Sequence, residues 1–331
     1  MVLKKEDVAH DVTIKTDAAG ELTLRYYDLG GDSVGLDTPS PSGSGGSTSE
    51  VAAGRAASAS ERVETNTLPL VMLHGGGPGA SSWSNFGPAL EGFAADFRTI
   101  LVDQPGFGAS DKPPVVGNYY RFAGDAVIAL LDELGLEKVH LLGNSLGGGT
   151  AMRIALTYPD RVGRLVLMGP GGLSLNLFHA DPTEGVQRLM DFSGDPTREA
   201  LKAFISTMVV NQKLVTDELV EERFADATAP GAREAMASMG WSFYNPETAE
   251  DGMLWREAHR LKHHTLLTWG REDRVNPLDG AFAALKLISK AQLHVFPRCG
   301  HWAQIEAADE FREVAVSFLK RHRERTPKEK S

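Results

Sequence analysis

Three side chains far apart in the chain are of the types that acyl-transfer chemistry requires: the hydroxyl of Ser145, the carboxylate of Asp273 and the imidazole of His301. A serine hydroxyl is a weak nucleophile until a base removes its proton, and His301 would be that base. Asp273 would hold the imidazole in the right tautomer and stabilise the imidazolium. Glu272 is the rival acid; Asp273 fits the usual strand-end spacing better. Ser145 sits in Gly143-Asn144-Ser145-Leu146-Gly147, after the apolar run Val139 to Leu142 and before Leu146, Met152, Ala155 and Leu156 at helical spacing. Strand, G-x-S-x-G, helix is a nucleophile elbow, in which a sharp turn lifts the serine to the carboxyl edge of a sheet. The flanking glycines leave room for neighbouring backbone, and the helix points free N–H groups at any anion beside the serine. The pattern alone is weak, because Gly31-Asp32-Ser33-Val34-Gly35 repeats it. That copy runs into Pro, Ser and Gly instead of a helix, so Ser33 reads as a loop serine.

The stretch His74-Gly75-Gly76-Gly77 supplies the complement. Glycines let backbone approach a tetrahedral oxyanion, and the N–H of Gly76 paired with that of Leu146 would make the hole. His74 reads as a residue that positions this loop. His263-His264 makes a poor metal site, since adjacent residues rarely face one ion and no carboxylate or cysteine lies at ligand spacing. Cys299 lacks a base of its own and reads as a small packing residue.

The elements that position these groups follow from periodicity. Val12 to Lys15 and Leu22 to Tyr26 predict a hairpin around Asp17-Ala18-Ala19-Gly20. Buried-type strands are expected at Leu68 to Leu73, Arg98 to Val102, Arg164 to Met168, Thr265 to Trp269 and Gln292 to Phe296, beside the one that enters the elbow. Val127, Leu130, Leu131 and Leu134 mark one helix face. Strands alternating with helices, and glycines where strands end, imply a parallel sheet covered on both faces. The alternation stops from Leu173 to Tyr244, where helical patterns run on without a convincing strand. One of them is expected to start at Asp195-Pro196, with a cap followed by proline. This insertion falls where a lid over the sheet's carboxyl edge would lie. A last amphipathic helix is expected from Glu306 to Leu319. The resulting division is a core of residues 1–172, a helical lid of 173–244, a second core part of 245–322 and a charged tail of 323–331. Within the first part, 37–67 is rich in Ser, Gly and Ala, has almost nothing to bury and is expected to be a flexible surface loop.

Composition sets the outer limits. The 331 residues are 42% hydrophobic and 24% charged, as in an ordinary globular protein. A formal charge of −10 argues against nucleic acid or an anionic membrane as partner. The single cysteine suits a reducing cytosol, and no apolar run is long enough for a membrane span. MVLKKEDVAHD turns acidic where a signal peptide needs an apolar core. The expectation is a soluble, cytoplasmic protein.

Serine, then acid, then histidine, each just past a strand, is the order of the α/β-hydrolase fold: a mostly parallel eight-stranded sheet with helices on both faces and a lid after the sixth strand. HGGGPGASSWSNF, VDQPGFGASDK, GNSLGGGTA, LMGPGGLSLNLF, GREDRVNPLDG and HVFPRCGHWAQ together resemble the meta-cleavage product hydrolases of that superfamily. Their branch for steroid ring-cleavage products, the 4,9-DSHA hydrolases, looks most similar. The resemblance implies hydrolysis of a carbon–carbon bond in a 2-hydroxy-6-oxohexa-2,4-dienoate after enol-to-keto tautomerisation. It also implies that Gly75, Gly77, Asn85, Asn144, Arg223 and Trp302 contact substrate, with Arg223 on the carboxylate. No metal or organic cofactor is needed, and a homodimer or higher homo-oligomer is implied. The segment 37–67 departs from the family, where a short turn stands. Met208, Val209 and Phe224 could line a distal pocket or pack the lid.

Other readings share these residues. A biphenyl-type hydrolase, a carboxylesterase or an aminopeptidase would use the same triad. A ligand-binding receptor on a hydrolase scaffold would signal unchanged with Ser145→Ala. Dehalogenases and epoxide hydrolases place aspartate where Ser145 stands.

Overall fold

The computed structural model describes residues 3–30, 67–173, 175 and 181–321. Ser33, the Ser/Gly-rich stretch apart from Thr67, and the tail 323–331 lie outside the described residues. One sheet organises the rest. Its strands are β1 (Ala9–Thr16), β2 (Gly20–Leu29), β3 (Leu70–Leu73), β4 (Thr99–Val102), β5 (Val139–Asn144), β6 (Val162–Met168), β7 (Thr265–Gly270) and β8 (Ala291–Phe296). They lie in the order β1-β2-β4-β3-β5-β6-β7-β8. The β1–β2 hairpin is antiparallel and joins β4 antiparallel, whereas β4, β3, β5, β6, β7 and β8 run parallel. The parallel strands β3, β4, β5 and β7 are buried at every residue, which is why their sequences are apolar runs without alternation.

Helices cover both faces. α1 (Ser82–Phe86) and α2 (Leu90–Ala94) follow β3, α3 (Tyr119–Glu133) precedes β5, and α4 (Leu146–Thr157) follows it. Then come α5 (Glu184–Gly194), α6 (Arg198–Met208), α7 (Asp217–Ala227) and α8 (Ala232–Tyr244). The chain ends in α9 (Asp279–Leu287), α10 (Ala303–Glu306) and α11 (Ala308–Lys320). Alternate strand residues feed the two layers. Val71, Leu73, Leu141, Leu165 and Leu167 pack with Val127, Leu130 and Leu131 of α3 and Met152 of α4. Leu70, Met72, Leu142, Val166 and Met168 pack with Phe311, Ala315 and Phe318 of α11. This is the period of two that puts successive strand residues on opposite faces.

Helices α5 to α8 form the insertion between β6 and β7, with a small core of their own built on Phe192, Leu201, Phe204, Ile205, Val220 and Ala227. Trp302, from the loop after β8, completes that cluster. Past Tyr244 the chain continues in short 3-10 turns, and Leu254, Ala258 and Leu261 return it to the main core.

The strand ends differ from those expected by up to three residues, and two helix boundaries differ as well. Asp195 does not cap α6; it ends α5, and Thr197 is the cap, its side chain accepting from the Ala200 N–H. Proline disfavours helical geometry in the residue before it, and Asp195 is extended (φ −138°). The final helix is broken at Ala307 (φ −127°, ψ 40°), so Glu306 ends α10 and α11 starts beyond the break.

Candidate active site

The serine comes to the sheet edge by strain. Ser145 joins β5 to α4 with φ 51°, in the left-handed region that residues with a side chain seldom occupy. Its N–H is tied to Met168 O at 2.8 Å, and its carbonyl accepts from Gly171 N–H at 2.8 Å. The glycines on either side are dictated by crowding. A Cβ on Gly147 would stand 2.1 Å from Leu73 O, and one on Gly143 would stand 2.3 Å from Gly147 O. Only bare backbone permits so tight a turn. Ser145 Oγ makes no hydrogen bond among the described residues and lines a cavity of about 310 Å³.

The acid and the histidine arrive from the ends of β7 and β8. His301 Nδ1 donates to Asp273 Oδ2 at 2.7 Å, and both side chains are buried. The other carboxylate oxygen, Asp273 Oδ1, accepts the N–H groups of Val275 (2.8 Å) and Asn276 (2.9 Å). A carboxylate so anchored fixes the ring by Nδ1, Nε2 makes no hydrogen bond among the described residues, and His301 lines the same cavity as Ser145. The rival is turned away: Glu272 accepts from the Cys299 N–H at 3.0 Å and pairs with Arg271. Glu272 is held below its ordinary carboxylate range by Arg271 and the backbone N–H groups of Cys299 and Arg298, against the opposing cost of desolvation. Hydrogen bonds between serine and histidine commonly tighten only once substrate is bound.

The glycine loop is held on both sides. Gly75 N–H donates to Asn85 Oδ1 at 3.1 Å, so that N–H is already engaged. The N–H groups of Gly76 and Leu146 have no partner among the described residues, and the two residues pack together, a Cβ on Gly76 reaching 2.6 Å from Leu146 Cδ2. His74 is buried, donates from Nδ1 to Gly75 O at 2.8 Å and accepts the Gln104 N–H on Nε2 at 3.0 Å. Burial lowers its pKa, so it serves as a neutral brace. A second serine–carboxylate pair is structural: Ser82 donates N–H and Oγ–H to Asp103 Oδ1, both residues are fully buried, and neither lines the cavity.

Around these groups the cavity is largely apolar. Gly75, Gly76, Gly77, Asn85, Asn144, Arg223 and Trp302 all line it. Asn144 Nδ2 donates weakly to Met168 O at 3.4 Å, and its buried Oδ1 has no partner among the described residues. Arg223, on α7, is buried; its Nε donates to Pro78 O at 2.9 Å, and its guanidinium lies over the Trp302 ring. Burial pulls its pKa down to about 10, opposed by Asp226 and Glu222, which leaves it a cation at neutral pH. It forms no ion pair with a carboxylate among the described residues. Of the three residues left between pocket and lid core, Met208 reaches the cavity, Val209 packs in the lid cluster, and Phe224 lies under the Arg198 guanidinium.

The sequence did not single out Tyr120, Phe243 or Asn276, which also line the cavity. Asn276 lay within the GREDRVNPLDG motif, and its Nδ2 donates to Gly169 O at 2.6 Å, bracing the strand end beside the elbow. Cys299 is buried, with burial pushing its thiol up to about 12, and it packs with the sheet. Among the described residues no cluster of His, Cys, Asp or Glu could hold a metal ion, and no helix is long and apolar enough to cross a membrane.

Sheet order, elbow and strand-end triad geometry define a serine hydrolase of the α/β-hydrolase fold, and the profile of that fold matches residues 69–308. Among curated proteins, the 2-hydroxy-6-oxo-6-phenylhexa-2,4-dienoate hydrolase of Burkholderia cepacia is 41% identical over 263 residues, 76% of this chain and 87% of that protein. A 2-hydroxy-6-oxononadienedioate/2-hydroxy-6-oxononatrienedioate hydrolase of Comamonas testosteroni is 41% identical over 266 residues, 76% of this chain and 87% of that one. Among solved structures, the meta-cleavage product hydrolase CumD of Pseudomonas fluorescens IP01 superposes with a TM-score of 0.72 at 31% identity, covering 93% of this chain and 97% of its own. The chain therefore belongs to the meta-cleavage product hydrolases, serine-dependent enzymes that break carbon–carbon bonds.

Proposed function

We propose that the protein hydrolyses the C5–C6 bond of a 2-hydroxy-6-oxohexa-2,4-dienoate whose C6 substituent is a phenyl-like apolar group. The observation that carries this reading is Arg223: a buried guanidinium that forms no ion pair with a carboxylate among the described residues, in an apolar cavity that also holds Ser145 and His301. A buried cation needs a counter-charge, and the dienoate carboxylate supplies one. Asn144 and Asn85, with Gly75 and Gly77, line the polar end next to it.

The chemistry follows from where electrons can go. A carbon leaving group departs only if the fragment can hold the electron pair, so the dienol first moves its proton from the 2-hydroxyl to C5. His301 is the proton carrier. Ser145 Oγ then attacks the C6 carbonyl as His301 takes its proton, and the N–H groups of Gly76 and Leu146 hold the oxyanion. The C5–C6 bond breaks, its electron pair passes into the conjugated keto acid, and the resulting enolate takes the proton held by His301 and leaves as a 2-hydroxydienoate, which returns His301 to its neutral form. Water, deprotonated by His301, releases the acid from Ser145.

The sequence alone pointed to a steroid-derived distal group, whereas the relatives found carry phenyl and short dicarboxylic substrates in their names. Bleaching of the yellow dienoate measures turnover directly. We expect the phenyl substrate to be turned over faster than a steroid-derived one. The reverse order would overturn the distal-group assignment, and fast nitrophenyl ester hydrolysis without dienoate turnover would overturn the carbon–carbon reading.

A further inference from the structure

We propose that Glu306 is a positioning residue that sets His301 by clamping the end of α6 to the histidine loop. The proposal rests on the reading of His301 as the base. Glu306 ends the short helix α10, five positions past the histidine, where an acidic residue would ordinarily be a solvated side chain. Its carboxylate instead accepts backbone N–H groups from two separate segments. Oε1 takes those of Val210 at 2.9 Å and Asn211 at 2.8 Å, and Oε2 takes that of Gly300 at 2.6 Å.

The two segments it joins are the ones that carry the base. The carbonyl of Met208, the last residue of α6, accepts the N–H of His301 at 2.7 Å and that of Trp302 at 3.2 Å. The chain from Met208 to Asn211 and the chain from Gly300 to Trp302 thus lie side by side with no regular sheet between them. Glu306 closes one end of that contact. Gly300 must be glycine there, because a Cβ would stand 2.6 Å from Met208 O. Arg298, two residues earlier, adopts φ 56°, so the loop enters in a strained conformation that needs outside restraint. Hydrogen bonds to an ionised carboxylate are stronger than neutral ones, and three converge on Glu306. Asp273 fixes the ring of His301; Glu306 fixes the backbone from which the ring hangs.

The charge and the two oxygens are both required. In Glu306→Gln only one acceptor oxygen remains, so an amide NH2 confronts either the Gly300 N–H or the pair from residues 210 and 211. Displacing a catalytic group by an ångström can cost about 100-fold, and we expect a kcat loss of about 10- to 100-fold. KM should stay near that of the wild type, because Glu306 does not itself line the cavity and Arg223, Asn85 and Asn144 are not held by it. Glu306→Asp keeps the charge but is shorter and should recover part of the loss.

The test measures kcat and KM on a phenyl dienoate and on 4-nitrophenyl acetate for the wild type, Glu306→Gln and Glu306→Asp. It also measures dienoate binding to Ser145→Ala with and without Glu306→Gln. Lower kcat on both substrates, with equal dienoate binding in the two Ser145→Ala proteins, is the expected result. Unchanged kcat would overturn the proposal, and so would parallel loss of turnover, binding and melting temperature, which marks a scaffold role only. If Glu306→Gln does not fold, Glu306→Asp decides by the same criteria. A wild type that cleaves the ester but not the dienoate sinks the proposed substrate, and Glu306 is then judged on ester kcat against KM.

Discussion

The guanidinium carbon of Arg223 lies 5.8 Å from the centroid of the Trp302 ring, so a cation from the lid and the aromatic residue next to His301 form one wall of the cavity. Such stacking holds the guanidinium flat and leaves its edge nitrogens for a planar anion. In Arg223→Gln the carboxylate loses a charge-assisted hydrogen bond, about 1.5–3 kcal/mol. Dienoate KM should rise roughly 10- to 150-fold, while KM for uncharged 4-nitrophenyl acetate stays put. Equal effects on both substrates would remove Arg223 from the carboxylate.

Asp273→Asn keeps the size of the acid but cannot stabilise the imidazolium, and it presents an N–H to a ring that needs an acceptor. Turnover of either substrate should fall by about 10⁴-fold, with the melting temperature little changed. Glu272→Gln is the control, since that carboxylate faces Cys299 and Arg271, and it should retain most activity.

Gly76→Ala places a methyl group 2.6 Å from the Leu146 side chain, which has to shift. Because the leucine N–H belongs to the proposed oxyanion pair, kcat should drop by about 10²-fold or more with a smaller change in KM. Gly147→Ala is different in kind: its methyl meets backbone oxygen at 2.1 Å, and soluble folded protein should be lost.

His140 gives the fold a pH dependence of its own. It is buried on β5, its Nδ1 accepts the Arg164 N–H at 2.9 Å, and burial, with Arg164 and Lys138, pulls its pKa down to about 4. The unfolded chain binds that proton near pH 6.5, so between pH 6.5 and about 4 the unfolded state carries more protons. The stability contribution is whole above the upper limit and is lost as pH falls, by up to about 3 kcal/mol. Buried His74, also lowered, acts in the same direction. Urea melts between pH 7 and 4.5 should show the midpoint falling, and His140→Asn, which keeps an acceptor for Arg164, should flatten the slope.

Cys299 stays protonated, its thiol pushed up to about 12 by burial. Thiol reagents at pH 8 should label it only after denaturant is added. Rapid labelling of the native enzyme would contradict the packing role.

What the sequence displayed was whatever local chemistry enforces. The elbow was legible because its glycines stand beside Ser145 in the chain, although only Gly143 is demanded by a local contact, with Gly147 O, while Gly147 answers to the distant Leu73 carbonyl. The parallel strands were legible because complete burial leaves them uniformly apolar. The choice of Asp273 over Glu272 rested on one position of strand-end spacing, and in the structure the hydrogen bond to His301 is made by Asp273. Long-range partners were hidden. Nothing beside Glu306 hints that N–H groups from residues 210, 211 and 300 gather on it. The start of α6 was misplaced because proline at a first turn and proline before a cap look alike until Thr197 shows its bond to Ala200. The break at Ala307 lay inside an unbroken amphipathic pattern and was invisible for that reason.

The shared carbonyl of Met208 makes the end of α6 a fixed post of the insertion. Swinging the whole of it outward would strip His301 and Trp302 of their backbone acceptor, so the α8 side, which lines the cavity with Met239, Gly240, Phe243 and Tyr244, is where entry of a bulky molecule is expected. A chimera that exchanges insertions between homologous hydrolases should accordingly keep residues 206–211 with the host's histidine loop and graft only what lies on either side.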